Sequence, residues 1–215
     1  VTTPIPTYAV IPTEGRPCMY DCVYAVRRQA TDTVLVATNG YQYNGTYPVS
    51  VIEDADPVPN ISRWWNLGLI AAQAKAQVRG QDRWNVLVIN DDTVMAPGSV
   101  AKLAEGLRAW GDRAQMAFPG PWDQLFTEPG PDRVTGWCFM LRGEGGLRAD
   151  ERLKWWTNDN NLDWDARLAG GTAMVTGVDH EHLHPNGYTN ARPDLMEQAG
   201  RDMELFVRKW GRSAW

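Results

Sequence analysis

The stretch VLVINDDTVMAPGSV, residues 86–100, places Asn90, Asp91 and Asp92 directly after a run of apolar residues. The run has the length and composition of a buried β-strand, and Pro97, shortly after it, begins an amphipathic helix. In an open α/β sheet, ligands bind outside the carboxyl ends of the strands, where loops and helix N-termini converge. The stretch therefore predicts an α/β fold with a ligand site at its two aspartates.

The rest of the chain alternates short apolar runs with amphipathic segments, which is the pattern of a sheet covered by helices. The predicted strands are residues 8–11, 33–37, 48–52, 85–89, 134–141 and 172–178. Helices are predicted over residues 17–28, after a cap at Ser62, after Pro97, from about Asp159 and from Pro193. A Pro/Gly-rich loop is predicted over residues 119–131, and the last helix is expected to turn the following side chains inward: Met196, Ala199, Met203, Phe206 and Trp210.

Length and charge limit the class of protein. A chain of 215 residues, 43% hydrophobic, has the size of a single domain with its own core, so one domain is predicted over residues 1–215. The net charge of -5 and the scattered basic residues argue against a nucleic-acid partner. No apolar run approaches the roughly 18 residues of a membrane span, and the first residues lack a secretory signal. The composition therefore predicts a cytoplasmic protein without a membrane span.

The cysteines do not indicate a metal site. Cys18, Cys22 and Cys138 are odd in number, and a C-x3-C pair without a second pair is a weak metal signal. Cys22 shares a helical apolar face with Met19, Val23 and Val26. Reduced core thiols are the interpretation that this spacing favours.

Two purposes are open for the carboxylates at the strand end. They could cap the following helix, or they could hold a divalent cation that bridges phosphate oxygens. Capping falls more naturally to Ser99 or Thr93, because Pro97 and Gly98 intervene before the helix. The hypothesis that the two aspartates bind a metal is therefore kept beside the hypothesis that they cap the helix.

Seven segments, in order, resemble those of GT-A type glycosyltransferases, the nucleotide-sugar-dependent class related to family 2. They are AVIPTEGRP, VATNG, NISRWWNLGL, VINDDTVMAPGSV, TGWCFMLR, DERLKWWTNDNNLDWDAR and HLHPNGYTN. The resemblance implies a Rossmann-like GT-A domain with a mixed central sheet flanked by helices. It further implies a nucleotide-sugar-binding half over residues 1–92 and an acceptor-side half over residues 93–215, with the catalytic base and a C-terminal helix.

The resemblance also implies a set of donor contacts and metal ligands. The nucleotide-diphosphate sugar is expected to contact Pro12, Thr13, Arg16, Asn39, Asn66, Asp91 and Asp92. Asn90 replaces the first aspartate of the family's D-x-D element, so binding of Mn²⁺ or Mg²⁺ would depend mainly on Asp92. His184 and His182 are the further ligands that the resemblance implies.

The histidines have a pattern of their own. His180, His182 and His184 are the chain's three histidines and stand at alternate positions, so a strand would put all three on one face. A loop exposed to solvent is the alternative for each of them. A three-histidine zinc centre would leave the aspartates at the strand end unexplained.

Two aspartates are candidates for the catalytic base that the resemblance implies. A count of eight residues from Glu151 leads to Asp159, whereas an alignment on the later D-x-x-x-R spacing selects Asp163. Asp159 is favoured, although Asn158 and Asn161 stand where the family commonly has acids. A carboxylate at this place would accept the proton of an attacking hydroxyl and give inversion in one displacement.

Eleven tryptophans are well above average usage. Trp65 and Trp110 lie on apolar helix faces and are expected in the core. Indole faces also stack on sugar rings, and four tryptophans in or beside predicted loops could do so or simply pack: Trp122, Trp137, Trp155 and Trp156.

The sequence thus predicts a metal-dependent glycosyltransferase that moves a sugar from a nucleotide-diphosphate donor to an acceptor hydroxyl. The acceptor, a protein side chain or a small molecule, stays open. Two alternatives remain, namely a metal-dependent phosphohydrolase using the same acidic cluster and a non-catalytic nucleotide-sugar or carbohydrate-binding protein.

Overall fold

A computed structural model describes residues 4–131, 136–184 and 187–214, with backbone alone for residues 187 and 188. The strands in the described residues are β1 (Thr7–Thr13), β2 (Asp32–Thr38), β3 (Ser50–Asp54), β4 (Asn85–Ile89), β5 (Thr93–Met95), β6 (Met116–Pro119), β7 (Gln124–Phe126), β8 (Cys138–Arg142), β9 (Thr172–Val175) and β10 (His180–His182). The helices are α1 (Met19–Arg27), α2 (Ile61–Val78), α3 (Ser99–Ala109), α4 (Asn158–Leu168), α5 (Gly187–Asn190) and α6 (Pro193–Trp210).

The described strands form one eight-stranded mixed sheet and one small ribbon. The order across the sheet is β3-β2-β1-β4-β8-β6-β9-β7. Its first four strands are parallel, whereas β8 runs antiparallel to β4 and β6. The carboxyl ends of β1 and β4 therefore meet at one edge of the sheet, and their loops lie side by side.

Both faces of the sheet are covered by helices, and the alternation of side chains along β1 shows why. Tyr8 and Val10 point to the layer that contains α2 and α4, and Ala9 and Ile11 point to the layer that contains α1 and α3. Helix α2 packs closely because Gly68 faces Val10, where a Cβ would come within 2.1 Å of a valine methyl carbon. A smaller cluster joins α4 to α6.

The two-stranded ribbon brings a late segment of the chain back to the end of β4. Strand β10 pairs antiparallel with β5, with His182 opposite Thr93. The N–H of Leu183 donates to the carbonyl of Asp92 at 2.8 Å. The histidine segment is thereby fixed beside the aspartates.

The predicted α/β fold is confirmed, with differences in detail. The cap of α2 is Asn60, whose side chain accepts from the N–H of Arg63, whereas Ser62 is the second residue of the helix and was wrongly predicted as cap. Met196 and Met203 on α6 are 52% and 37% exposed, contrary to the predicted inward face, whereas Ala199 and Phe206 are buried as predicted.

Short strands were missed. The predicted loop 119–131 contains the end of β6 and all of β7, and β5 and β10 were also not predicted. Three-residue strands are too short to give a periodic signal, so only their pairing partners define them. Of the predicted strand 134–141, residues 134 and 135 lie outside the described residues, and β8 begins at Cys138. None of the helices in the described part of the chain is long and apolar enough to cross a membrane.

Candidate active site

The site begins where β1 and β4 end side by side. The hydroxyl of Thr13 donates to Oδ2 of Asp91 at 2.7 Å, and the N–H of Gly15 donates to the Thr13 hydroxyl at 2.9 Å. Gly15 has a φ of +85°, and Tyr41 packs so closely on it that a Cβ would overlap the ring. The loop after β1 is therefore folded tightly against the first aspartate.

Arg16 bridges the two aspartates. Its guanidinium contacts the carboxylate of Asp91 and lies 3.2 Å from Oδ2 of Asp92. Burial raises the pKa of Asp91, and the hydrogen bond from Arg16 opposes that rise only in part. For Asp92, burial also acts to raise the pKa, but His182 and Arg16 outweigh it and the pKa is lowered. Asp92 is accordingly the more readily ionised carboxylate of the pair.

His182 completes this end of the site. Its Nε2 lies 3.3 Å from Oδ1 of Asp92. Apart from that contact, Oδ1 is a buried oxygen without a hydrogen-bond partner among the described residues. A carboxylate oxygen and an imidazole nitrogen that face each other at a cavity fit a divalent cation.

Asp92 and His182 would supply only part of the coordination shell of a metal ion. No group of three or more histidine, cysteine, aspartate or glutamate side chains in the described chain could hold a metal ion. Two protein ligands suffice when a diphosphate supplies further oxygens. The donor set of Asp92 and His182 therefore suits a cation that arrives with a nucleotide diphosphate.

The other two histidines have different surroundings. His184 is exposed and lines the cavity beyond the end of β10. His180 is exposed, its Nδ1 lies 2.9 Å from the carbonyl oxygen of Val178, and its ring centroid lies 4.1 Å from that of Trp137. His180 and His182 share one face over Trp137, as the alternate spacing predicts.

Asp159 faces the same cavity from α4. The helix begins at Asn158, after Thr157 in the left-handed conformation at φ 56°. Asp159 is 9% exposed and lines the cavity. The bare backbone of Gly136 lies against it, since a Cβ there would come within 3.0 Å of Oδ2. The carboxylate is thus held at the edge of the cavity rather than in open solvent.

Asp163, the alternative candidate for the base, does not reach the cavity. It is fully buried, and both of its oxygens face Arg167, at 2.9 Å and 2.7 Å. Burial raises its pKa to about 6 against the opposing effect of Arg167. The structure therefore places this aspartate in an ion pair inside α4 and away from the cavity, and a role for it as the base stays a prediction.

Asn66 also lies away from the cavity. Its side-chain amide donates to the carbonyl of Ala149 and to Glu151, both at 2.9 Å, and its oxygen accepts from the N–H of Ala149 at 2.9 Å. It fastens α2 to the segment before α4 and is not among the residues that line the cavity. Its contact with the donor stays a prediction.

Asn39 also lies apart from the cavity. It follows β2, exposed and in the left-handed conformation at φ 56°. Pro12, Thr13 and Arg16, in contrast, line the cavity together with Asp91 and Asp92. Five of the seven predicted donor contacts are thus brought together.

Tryptophans form much of the remaining wall. Trp137, Trp155 and Trp156 are half-buried at the cavity, and Trp64 and Trp65 lie beneath them. Of the four tryptophans predicted to stack on a sugar or pack, Trp122 is 55% exposed and does not line the cavity. Trp65 is buried as predicted.

Several lining residues were not predicted. The stretch RWWN near the start of α2 puts Trp64 at the cavity, the stretch KWWTN at the start of α4 puts Thr157 there, and Asn160 follows in the first turn of α4. Their signal was the repeated Trp-Trp pair followed by a short polar residue. It could have been noticed, but only the fold shows that both pairs face one space. The cavity has a volume of about 490 Å³.

Solved structures with this fold include several of glucosyl-3-phosphoglycerate synthase from Mycobacterium tuberculosis. The complex with Mn²⁺, UDP and glucosyl-3-phosphoglycerate matches with a TM-score of 0.60 at 12% identity, over 96% of this chain and 80% of that chain. The complex with Mn²⁺, UDP and phosphoglyceric acid gives 0.59 at 12% identity, over 95% and 78%. The complex with Mg²⁺ and UDP gives 0.54 at 12% identity, over 91% and 80%.

No protein-family pattern and no curated protein matches the sequence. At 12% identity the likeness to solved structures establishes the fold. The chain has the GT-A glycosyltransferase fold, as the sequence predicts.

Proposed function

We propose that the chain is a glycosyltransferase that takes a sugar from a nucleotide-diphosphate donor, with a divalent cation, and transfers it with inversion to an acceptor hydroxyl. The observation that carries the proposal is that Asp92 with His182, and Asp159, line one cavity from different elements. Asp92 and His182 suit a cation that accompanies a diphosphate, and the carboxylate of Asp159 suits acceptance of a proton. The likeness to a UDP-binding synthase crystallised with Mn²⁺ supports the donor class.

The donor end is assigned to the first part of the chain, residues 1–92, together with His182 and His184, and the acceptor end to the rest of residues 93–215. Thr13 and Arg16 adjoin Asp91 and Asp92, so a donor diphosphate would meet a guanidinium there. A Mn²⁺ or Mg²⁺ ion held by Asp92 and His182, with His184 within the same cavity lining, would neutralise charge on the diphosphate. Arg16 would add a fixed positive charge at the same place.

The chemistry of the chain's own residues concerns the acceptor proton. The acceptor oxygen attacks the anomeric carbon while the bond from that carbon to the diphosphate oxygen breaks, and its electron pair leaves with the diphosphate. The hydroxyl proton passes to the carboxylate of Asp159. Attack from the face opposite the leaving group inverts the anomeric carbon.

Binding of the donor can be tested without knowledge of the acceptor. We expect calorimetry to show UDP or another nucleoside diphosphate binding in the presence of Mn²⁺ and more weakly in EDTA, with thermal shifts to match. Absence of binding by every nucleoside diphosphate, with or without Mn²⁺, would contradict the proposal. Release of inorganic phosphate without an acceptor would indicate the phosphohydrolase alternative instead.

A further inference from the structure

The acceptor side of the cavity has an aromatic surface that the donor chemistry does not use. We define the indole wall as Trp155 and Trp156, both half-buried and both lining the cavity that contains Asp159. Indole faces of this kind cover the apolar C–H face of a pyranose ring. The wall therefore indicates a ring-shaped ligand next to the proposed base.

The wall is held in place before any ligand arrives. The N–H of Trp155's indole donates to the hydroxyl of Thr189 at 2.9 Å, and Trp64 packs edge-on against it at 6.0 Å between centroids. Trp64 in turn donates to Asp54 at 2.6 Å. Side chains that are already ordered lose little conformational entropy when a ligand binds.

Two buried amide atoms at the same cavity lack partners. Asn158 Nδ2 and Asn160 Oδ1 have no hydrogen-bond partner among the described residues, and the two side chains are 4% and 1% exposed. Oδ1 of Asn158 already accepts from the N–H of Asp159 at 2.9 Å, which leaves Nδ2 as the free donor. The cavity thus offers one unused donor and one unused acceptor beside Asp159.

A hydroxylated ligand satisfies both atoms. A hydroxyl both donates and accepts, so neighbouring sugar hydroxyls can pair with Nδ2 of Asn158 and Oδ1 of Asn160. A phosphate or carboxylate at that place would accept from Nδ2 but leave Oδ1 of Asn160 buried and unpaired, at a cost.

Charge points in the same direction. Arg16 is the one lysine or arginine that lines the cavity among residues 4–131, 136–184 and 187–214. It already bridges Asp91 and Asp92. An anionic acceptor beside Asp159 would lie next to the carboxylate of that residue, and like charges at short range repel.

We infer that the acceptor is an uncharged saccharide or glycoside, stacked on the indole wall with its hydroxyls on Asn158 and Asn160. The inference rests on the proposed function for the reaction, but it assigns a ligand to surfaces that donor binding leaves unused. It distinguishes this chain from the synthase with the same fold that was crystallised with phosphoglyceric acid.

Ligand-observed NMR on the intact protein tests the subsite directly. The probes are maltose, cellobiose and N-acetylglucosamine, with 3-phosphoglycerate as the anionic comparison, each with and without UDP and Mn²⁺. We expect saturation transfer to at least one saccharide and none to 3-phosphoglycerate. Binding of 3-phosphoglycerate in place of all the saccharides, or of none of the four, would overturn the inference.

Substitutions in the cavity wall test where the saccharide binds. We expect Trp156→Ala to weaken saccharide binding by roughly tenfold, and Trp156→Phe to restore most of it because an aromatic face remains. Asn160→Ala should weaken the same binding. Trp122→Ala is the matched control, because Trp122 is exposed and does not line the cavity. Equal saccharide affinity in the parent and in folded Trp156→Ala would contradict the assignment to the wall.

The same titrations separate the two proposals. Saccharide binding that depends on Trp156, together with no binding of any nucleoside diphosphate, would overturn the proposed transfer and keep the saccharide subsite. Mn²⁺-dependent UDP binding without saccharide binding would keep the proposed donor site and overturn the saccharide subsite.

Discussion

Nε2 of His182 lies 3.3 Å from Oδ1 of Asp92, although the two residues belong to different strands far apart in the chain. The antiparallel pairing of β10 with β5 makes the contact, since Asp92 immediately precedes β5. The pairing puts an imidazole next to a carboxylate that is buried and ionised readily. It thereby brings together the two proposed metal ligands, Asp92 from the end of β4 and His182 from β10.

Replacing Asp92 should remove the dependence of nucleotide binding on the metal. In Asp92→Ala the buried oxygen that faces His182 is lost, so we expect UDP affinity to become the same with Mn²⁺ and with EDTA. Calorimetry of parent and variant measures this. Asp112→Ala is the control, because that carboxylate is 94% exposed and away from the cavity. Metal-dependent affinity that survives in Asp92→Ala would contradict the assignment.

Substitutions of the three histidines should differ in their effect on Mn²⁺ affinity. We expect His182→Ala to weaken Mn²⁺ affinity in the presence of UDP by about 10 to 100-fold, the scale associated with loss of groups that support a metal site. His180→Ala should leave it unchanged, because His180 packs against Trp137 and does not line the cavity. His184→Ala decides whether the exposed histidine also binds. Equal titrations for parent and His182→Ala would return His182 to a structural role.

Substitutions of Asp159 and Asp163, two of the three aspartates of α4, should have different effects. Asp159→Asn keeps the shape of the side chain and removes the proton acceptor, so turnover should fall by about 10² to 10⁴-fold with donor affinity unchanged. Donor hydrolysis serves as the assay until an acceptor is found. Turnover at the parental level in Asp159→Asn would place the base elsewhere.

Asp163→Asn should instead destabilise the fold. It replaces the carboxylate that pairs with Arg167 by a neutral amide, and breaking a buried ion pair costs about 3–5 kcal/mol. Chemical denaturation measures the free energy of unfolding. Asp165→Asn is the control on the same helix, because Asp165 is half-exposed and pairs with Lys209 at the surface. A stable Asp163→Asn that loses turnover alone would reverse the roles of the two aspartates.

A buried carboxylate on α6 should control the acceptor side without touching it. Oδ2 of Asp202 accepts from the backbone N–H groups of Trp155 and Trp156, at 2.6 Å and 2.8 Å. In Asp202→Ala these donors lose their acceptor, so stability should fall by about 1–3 kcal/mol and saccharide affinity should fall with it. UDP affinity should not change. Unaltered saccharide affinity in folded Asp202→Ala would show that Asp202 supports the fold alone.

Acid should weaken the anchor between α3 and the sheet. Burial acts to raise the pKa of Glu144, but the hydrogen bond from Arg108 outweighs it and the pKa is lowered. A lowered pKa in the folded state contributes stability above the unfolded pKa of about 4.3, and that stability is lost as the pH falls. Glu144→Gln should therefore be less stable than the parent at pH 7, with a difference that shrinks below about pH 4. A constant difference at all pH values would contradict this.

Much of the fold and part of the site followed from local patterns. Strand 85–89 was predicted residue for residue, and the start of α6 at Pro193 was correct. Both have strong local causes, the four apolar residues after Asn85 in the first and a proline at the helix start in the second. The placement of Asp91 and Asp92 at a ligand-binding edge was also local, because it needed only a strand followed directly by polar residues.

Asp163 and Asn66 show where local patterns fail. Their spacing in the sequence suits a site, but a buried arginine one helical turn on satisfies the first, and a loop from the acceptor-side half satisfies the second. Hydrogen-bond partners across the fold decide such roles, and spacing along the chain does not contain them.

The sequence by itself determined the α/β class, the strand end with its two carboxylates, and Asp159 near the start of a helix. Only the tertiary structure decided that His182 faces Asp92, that Asp163 is internal, and that both Trp-Trp pairs border one cavity. The reason is physical. Periodicity and strand ends arise from the backbone geometry of neighbouring residues, whereas a site is made by strands and helices that pack together from distant parts of the chain.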